Sequence, residues 1–405
     1  MSVSPPSTAR RSLSLFLLPA CASALALLIA PLASAQTTPA PAAASTLAGQ
    51  ASDWLYEGSD IPRDEGWRFG VLPNGLRYAV RNNGVPPGQV SIRVRMDVGS
   101  MFETDSERGF AHLLEHLTFR GSLHIPDGET KRIWQRFGVT FGSDSNAQTT
   151  PTQTVYQLDL PSVTSTTLDE SMKLLSGMVR EPRITDAAVT AERGVVLSEL
   201  REQDGPQKRI ADATSAHLFA GQLLGERSPI GTTAALGAAN ANSVQAFHDR
   251  WYRPDRAVVV MVGDGDPAQF AMLIGKYFGD WKEAGANPAQ PDFGKPDPSQ
   301  PVAKEIVEAN QPLALTLAMI RPWKKRVDTV ENTRRLYLEY LAQALVNRRL
   351  ENRARSGGSY LVATVSQDYV SRSADVTSAE IVPLGDWKAA LADVRGVIAG
   401  AVQAP

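Results

Sequence analysis

The run His112-Leu113-Leu114-Glu115-His116 leaves little choice of local structure if its three polar residues are to act together. On a helix, His112 and His116 lie one turn apart and point the same way. Two imidazoles on one face can grip a single zinc ion, and Glu115 beside them is close enough to serve as a general base in hydrolysis. Taken alone, five residues in this pattern also arise by chance. A helical histidine is more often a surface or core residue than a ligand.

The 405 residues suffice for two or three domains, and 43% hydrophobic against 21% charged residues allows a packed core. The net charge is -2, with no basic block and no interleaving of basic and aromatic residues, which argues against a nucleic-acid partner. Arg10 and Arg11 precede an apolar stretch from Leu13 to Leu32, and Ala33-Ser34-Ala35 ends it before Gln36. Residues 1–35 therefore read as a cleavable signal peptide, with export to a periplasm and no stable membrane span after cleavage. Cys21 is the sole cysteine, so the mature chain has no disulfide chemistry. The lipobox-like Leu18-Pro19-Ala20-Cys21 makes lipid anchoring at Cys21 the alternative.

Ala, Thr and Pro dominate the start of 36–59, which reads as a linker. Strands are expected at Trp67–Leu72, Leu76–Asn82 and Gln89–Val98, the first two joined by Pro73-Asn74-Gly75. A helix from about Glu107 to Arg120 carries the histidines, and a second covers Glu129–Phe137. Strands Phe141–Ala147 and Thr154–Leu160 follow, then helices Thr167–Val179 and Thr185–Gln203 separated by Pro182. The apolar run Ala257–Val262 suits the centre of a sheet. A Pro-rich stretch, 286–301, reads as a linker between a first unit, 60–285, and a second, 302–405, with a long helix at Glu331–Arg355.

Zinc needs a third protein ligand. In Ala191-Glu192-Arg193-Gly194-Val195-Val196-Leu197-Ser198-Glu199, Glu192 and Glu199 share one helix face but stand about 10 Å apart along the axis, so only one can bind the metal directly. Spacing alone leaves open which.

Several blocks in order resemble the pitrilysin/insulinase family of zinc peptidases. They are LPNGLRYAV, DVGSMFETDSERGFAHLLEHLTFRGS, GSDSNAQTTPTQTVYQLDLP, AERGVVLSEL and FHDRWYRPDRAVVVMVGDGDP. The likeness is strong over about 60–280 and weak beyond 300, and is nearest to long exported bacterial members. It implies an α+β fold of two related units, each a mixed, mostly antiparallel sheet with helices packed on it, the second cut short. It also implies one zinc per chain on His112, His116 and Glu199, with Glu115 as catalytic base and Glu192 as a supporting acid. Counted from His116, Glu192 sits at the family's usual separation and Glu199 beyond it. The local block favours Glu199, because insertions lengthen loops without moving the helix. Asn146 and Ala147 match the edge strand on which relatives pair an extended peptide. Thr152 departs from the acid many relatives have there. The remaining histidines, His124, His217 and His248, read as structural.

The function implied is a zinc metalloendopeptidase acting on peptides or unfolded proteins. Active relatives close a second half around the substrate, so a partner half or subunit is expected. The alternative is a non-catalytic scaffold member, against which stand the intact residues His112, Glu115, His116 and Glu199.

Overall fold

Alternation in V-S-I-R-V-R-M puts Val90, Ile92, Val94 and Met96 on one buried face of a strand that pairs on both sides. The computed structural model describes residues 54, 56–296 and 303–404. The signal peptide expected over 1–35, with Cys21, lies outside them, as does most of the expected linker 36–59. The end of that linker is packed: Trp54 and Tyr56 gather on Phe69 with ring centroids 5.2 and 4.8 Å away.

The first sheet holds β1 (Trp67–Val71), β2 (Arg77–Asn82), β3 (Val90–Met96), β4 (Ser145–Thr149), β5 (Thr154–Leu160) and β6 (Ala257–Gly263) in the order β1-β2-β6-β3-β5-β4. Only β2 and β6 pair in parallel; the other pairings are antiparallel. The apolar run 257–262 thus sits between two strands, with Val258, Val259 and Met261 buried and Val260 and Val262 half-buried. Helices α1 (Phe110–Thr118), α2 (Thr130–Arg136), α3 (Ser165–Arg180), α4 (Asp186–Gln203), α5 (Pro206–Leu218), α6 (Thr233–Ala238), α7 (Ala241–Trp251) and α8 (Pro267–Phe278) accompany this sheet. One apolar cluster joins sheet and helices, with Leu113, Leu114, Leu117, Tyr156, Phe247 and Phe270 fully buried. Asn74, in the turn before β2, donates to Phe278 O at 2.8 Å and Trp281 O at 3.1 Å, pinning the hairpin to the end of α8.

A smaller antiparallel sheet follows, β7 (Leu315–Pro322), β8 (Tyr360–Val370) and β9 (Ala374–Pro383) in the order β7-β9-β8, with α9 (Val330–Arg355) and α10 (Trp387–Gln403). Leu350, Tyr360, Ile381, Ala390 and Val394 form its core. The class is therefore α+β, with mostly antiparallel sheets and packed helices. Among the described residues, no helix is long and apolar enough to cross a membrane.

Three details differ from the sequence reading. The strand expected from Phe141 starts only at Ser145 and runs on to Thr149. Gly142 takes φ +99°, and Asp144 Oδ2 accepts the Thr140 N–H at 2.8 Å, so 140–144 closes on itself as a turn. Helix α6 was not foreseen; its N-cap Thr232 accepts from Ala235 N–H. The Pro-rich stretch is not a free tether over its described part: Phe293 packs edge-on against Phe102, centroids 5.7 Å apart, and Gln290 binds Arg256 at 3.0 Å.

Candidate metal centre

Helix α1 forms because Phe110, Leu113, Leu114 and Leu117 fall on one helical face, and all four are buried. Each fully buried leucine is worth roughly 1.5–3 kcal/mol, enough to hold the opposite face, with its polar residues, in place. No side chain of its own N-cap closes the helix start, which is Gly109 at φ +99°. Glu103 does so from six residues upstream, accepting Gly109 N–H at 2.9 Å and Ala111 N–H at 2.8 Å. That places a buried carboxyl at the positive end of the helix.

Helix α4 runs beside α1. Thr185 caps it, and Ala188, Val189 and Val196 bury its inner side. Two of its glutamates reach α1 at different atoms. Glu199 Oε2 lies 3.7 Å from both His112 Nε2 and His116 Nε2, which are themselves 3.3 Å apart. Glu192 Oε2 lies 3.2 Å from the other ring nitrogen of His116, Nδ1, and Glu192 Oε1 accepts from Arg120 at 3.3 Å. Arg120 in turn makes two 2.9 Å bonds to Asp127. The side chains are 18% (His112), 19% (His116), 13% (Glu192) and 36% (Glu199) exposed, so Glu199 borders solvent while Glu192 is enclosed.

The donor set suits zinc. Ligand atoms of a tetrahedral zinc at about 2.0–2.1 Å lie roughly 3.3–3.4 Å apart, close to the triangle seen here. At 3.7 Å the Glu199 oxygen is too far from either ring to be hydrogen-bonded, yet the three atoms converge on one point. His112, His116 and Glu199 are the one such group among the described residues. Burial, with the charge of His116 adding, pushes His112 down to about 4, so it presents a lone pair at neutral pH. For His116 burial pulls downward, but the Glu192 hydrogen bond and the charges of Glu199 and Glu115 outweigh it and raise the imidazole. Burial alone would raise Glu192, and its bonds to His116 and Arg120 overcome this and lower it. His112 Nδ1 is buried with no partner among the described residues, so only His116 has its second nitrogen held.

Glu115 is buried beside this triangle. Burial raises its carboxyl, opposed by a 2.6 Å hydrogen bond from Thr149 Oγ1. Asn146 and Ala147 lie on β4, the edge strand of the first sheet. Asn146 Oδ1 accepts Ala147 N–H at 2.9 Å. Thr152 directs its carbonyl to Arg372 at 3.0 Å. His124 stays apart from the triangle, its ring against Gly177, and His248 is buried on Val179 O at 3.0 Å. Sequence reasoning did not find Glu103, Arg120, Asp127 or Thr149. Of these only Arg120 carried a local signal, since it follows His116 by one helical turn.

Comparison with known proteins gives this geometry a setting. The family description Insulinase (Peptidase family M16) matches residues 79–228, and Peptidase M16 inactive domain matches residues 238–369. Residues 79–228 and 238–369 thus carry domains of the insulinase family, M16. The second match begins within the helices and strands of the first sheet and continues into β8. The probable zinc protease PqqL of Haemophilus influenzae is 35% identical over 220 residues, 54% of this chain and 24% of that protein. The solved periplasmic protease PqqL of Escherichia coli superposes with a TM-score of 0.73 at 25% identity, over 80% of this chain and 36% of that one. The ferredoxin protease FusC, solved as a mutant with Arabidopsis ferredoxin, gives 0.71 at 25% identity over 81% and 36%. The chain thus spans about a quarter of the length of the curated relatives it matches.

Proposed function

We propose that this chain carries the metal-binding and general-base machinery of an exported zinc metalloendopeptidase that cleaves peptides or unfolded proteins in the periplasm. The observation that carries the reading is the triangle of His112 Nε2, His116 Nε2 and Glu199 Oε2, with the buried Glu115 alongside. These three atoms hold one zinc. When bound there, zinc supplies Lewis acidity, polarising a peptide carbonyl and making water easier to deprotonate. Glu115 takes the proton from the attacking water and returns it to the leaving nitrogen. Its raised affinity for protons suits a group that must both accept and deliver one. Glu192 accepts from His116 Nδ1 and fixes the tautomer that leaves Nε2 free to ligate. Strand β4, at Asn146 and Ala147, takes up an extended peptide by strand addition, which favours breadth of sequence over sharp selection.

In this reading residues 60–285 form the catalytic domain, 286–301 connect it, and 302–405 belong to a second unit of the same kind. A further half or subunit completes the chamber; the greater length of the relatives supports this. Export is supported by the Arg10–Ala35 leader and by the periplasmic description of the Escherichia coli relative.

The test is the metal content of the purified chain beside Glu199→Gln and Glu192→Gln. The expected result is about one zinc per wild-type chain, lost with Glu199→Gln. In Glu192→Gln the zinc is retained at saturation but bound about 10–100-fold more weakly. Loss of stoichiometric zinc with Glu192→Gln alone would exchange the two roles. A wild-type chain that takes up no zinc would end the hydrolase reading.

A further inference from the structure

Strand β4 alternates in burial, so Ser145, Ala147 and Thr149 turn inward toward α1 while Asn146 and Gln148 face out. The last inward residue meets Glu115. Thr149 Oγ1 lies 2.6 Å from Glu115 Oε2, within the span of about 2.5–2.7 Å typical of a hydroxyl bound to a carboxylate.

Distance and acceptor strength fix the direction of this bond. Each threonine has one hydroxyl proton. Thr154, opposite Thr149 in the β4–β5 register, donates its own to the buried Val98 carbonyl at 3.1 Å. Thr154 Oγ1 can still accept from Thr149, but at 3.3 Å it is a weaker acceptor than the Glu115 carboxyl oxygen at 2.6 Å. The Thr149 proton goes to Glu115, which in the ionised form that acts as a base can only accept.

We propose that Thr149 is a positioning residue for Glu115, holding Oε2 so that Oε1 is left for proton transfer, and that it ties the base to the strand on which the peptide lies. The inference rests on the hydrolase reading above. Its consequence is that a peptide docking along β4 and the group that acts on it share one rigid element. Without this hydroxyl the carboxyl would keep only the weaker backbone hydrogen bond of Thr149 in a poorly solvated place.

The experiment compares the wild-type chain with Thr149→Val, Thr149→Ser and Glu115→Gln, each loaded with zinc, on an unfolded protein and on a fluorogenic peptide. Thr149→Val exchanges hydroxyl for methyl at nearly constant shape. It is expected to keep stoichiometric zinc and to lower kcat about ten- to a hundredfold with KM within about twofold, a share of the roughly 10²–10⁴ supplied by a general base. Thr149→Ser, which keeps the donor, is expected to recover most of the rate. A Thr149→Val chain with wild-type kcat, or a Thr149→Ser chain as slow as Thr149→Val, overturns the proposal. Absence of zinc in the wild type is a failure of the hydrolase reading instead, and zinc without turnover reflects the lack of the further half. In either event the crystal structure of Thr149→Val decides: Glu115 displaced from its wild-type rotamer supports positioning, and Glu115 unmoved overturns it.

Discussion

Two buried carboxyls flank α1, and burial acts on both in the same direction. Glu103, at the helix start, is pushed up to about 8, against the pull of the Gly109 and Ala111 N–H groups and the Arg227 guanidinium. A folded-state value above the unfolded one means that the folded chain holds the proton more tightly. The stability gained is full below about pH 4.3, the ordinary range of glutamate, and is lost as pH rises through the folded value. Glu103→Gln cannot titrate and serves as reference. Between about pH 5 and 8, the wild-type unfolding free energy from urea titrations is expected to fall relative to Glu103→Gln, by an amount on the order of a few kcal/mol. Both chains are kept metal-free so that zinc binding does not enter. Parallel pH profiles for the two chains would show that Glu103 keeps the same proton affinity folded and unfolded.

At the scale of the element, α1 depends on a backbone that only glycine tolerates. A Cβ on Gly109 would stand 3.0 Å from Gly231 Cα and 3.0 Å from Leu236 Cδ2, at a φ of +99°. Gly128 shares the positive φ, +78°, but has open space around it. Gly128→Ala is expected to cost about 1 kcal/mol of backbone strain, and Gly109→Ala more, about 2–3 kcal/mol, with weaker zinc binding because the histidine face tilts. Equal urea midpoints for the two variants would contradict the packing argument. The same element explains what could be read from the sequence. A one-turn spacing turns His112 and His116 the same way whatever the rest of the chain does, and the Phe110-Leu113-Leu114-Leu117 stripe makes the helix legible. Strand β6 was legible for a similar reason, being apolar without a break. The start of β4 was not, because Asp144 closes the preceding turn through its side chain, and the apolar Phe141 gives no sign of that. Thr149 acts through a contact made across the fold and Glu103 through one made across a loop, with no periodic pattern to announce either. Spacing also left Glu192 and Glu199 undivided, and the packing of α4 on α1 gives them different ring nitrogens.

Across the whole molecule, the tip between β8 and β9 connects the smaller sheet to the larger. Ser371 and Arg372 both take positive φ, +49° and +55°, an uncommon conformation for residues with side chains, so the tip is held by what it touches. Arg372 makes bonds of 2.8 and 3.2 Å to Asp97, at the end of β3, and a third of 3.0 Å to the Thr152 carbonyl in the β4–β5 turn. Next to it, Ser373 donates to Gln222 at 2.7 Å in a buried contact, and Ala374 and Val376 pack on Phe219. The ion pair is partly exposed, so solvent screens it, but its forked geometry and the extra carbonyl bond lift it above an ordinary surface pair. Arg372→Ala is expected to cost about 1–2 kcal/mol, and the loss belongs to the join between the sheets rather than to either core. Amide exchange should therefore quicken at the β8–β9 tip and in the 150–153 turn, while β3 and β6 keep their protection. Zinc content should stay at the wild-type level, since no ligand contacts the tip. Slower exchange in the first sheet would be unexplained by this arrangement. Unchanged exchange at the tip would mean that the apolar contact of Phe219 with Ala374 and Val376 holds the join alone, and a Phe219→Ala chain would then show the quickening that Arg372→Ala did not.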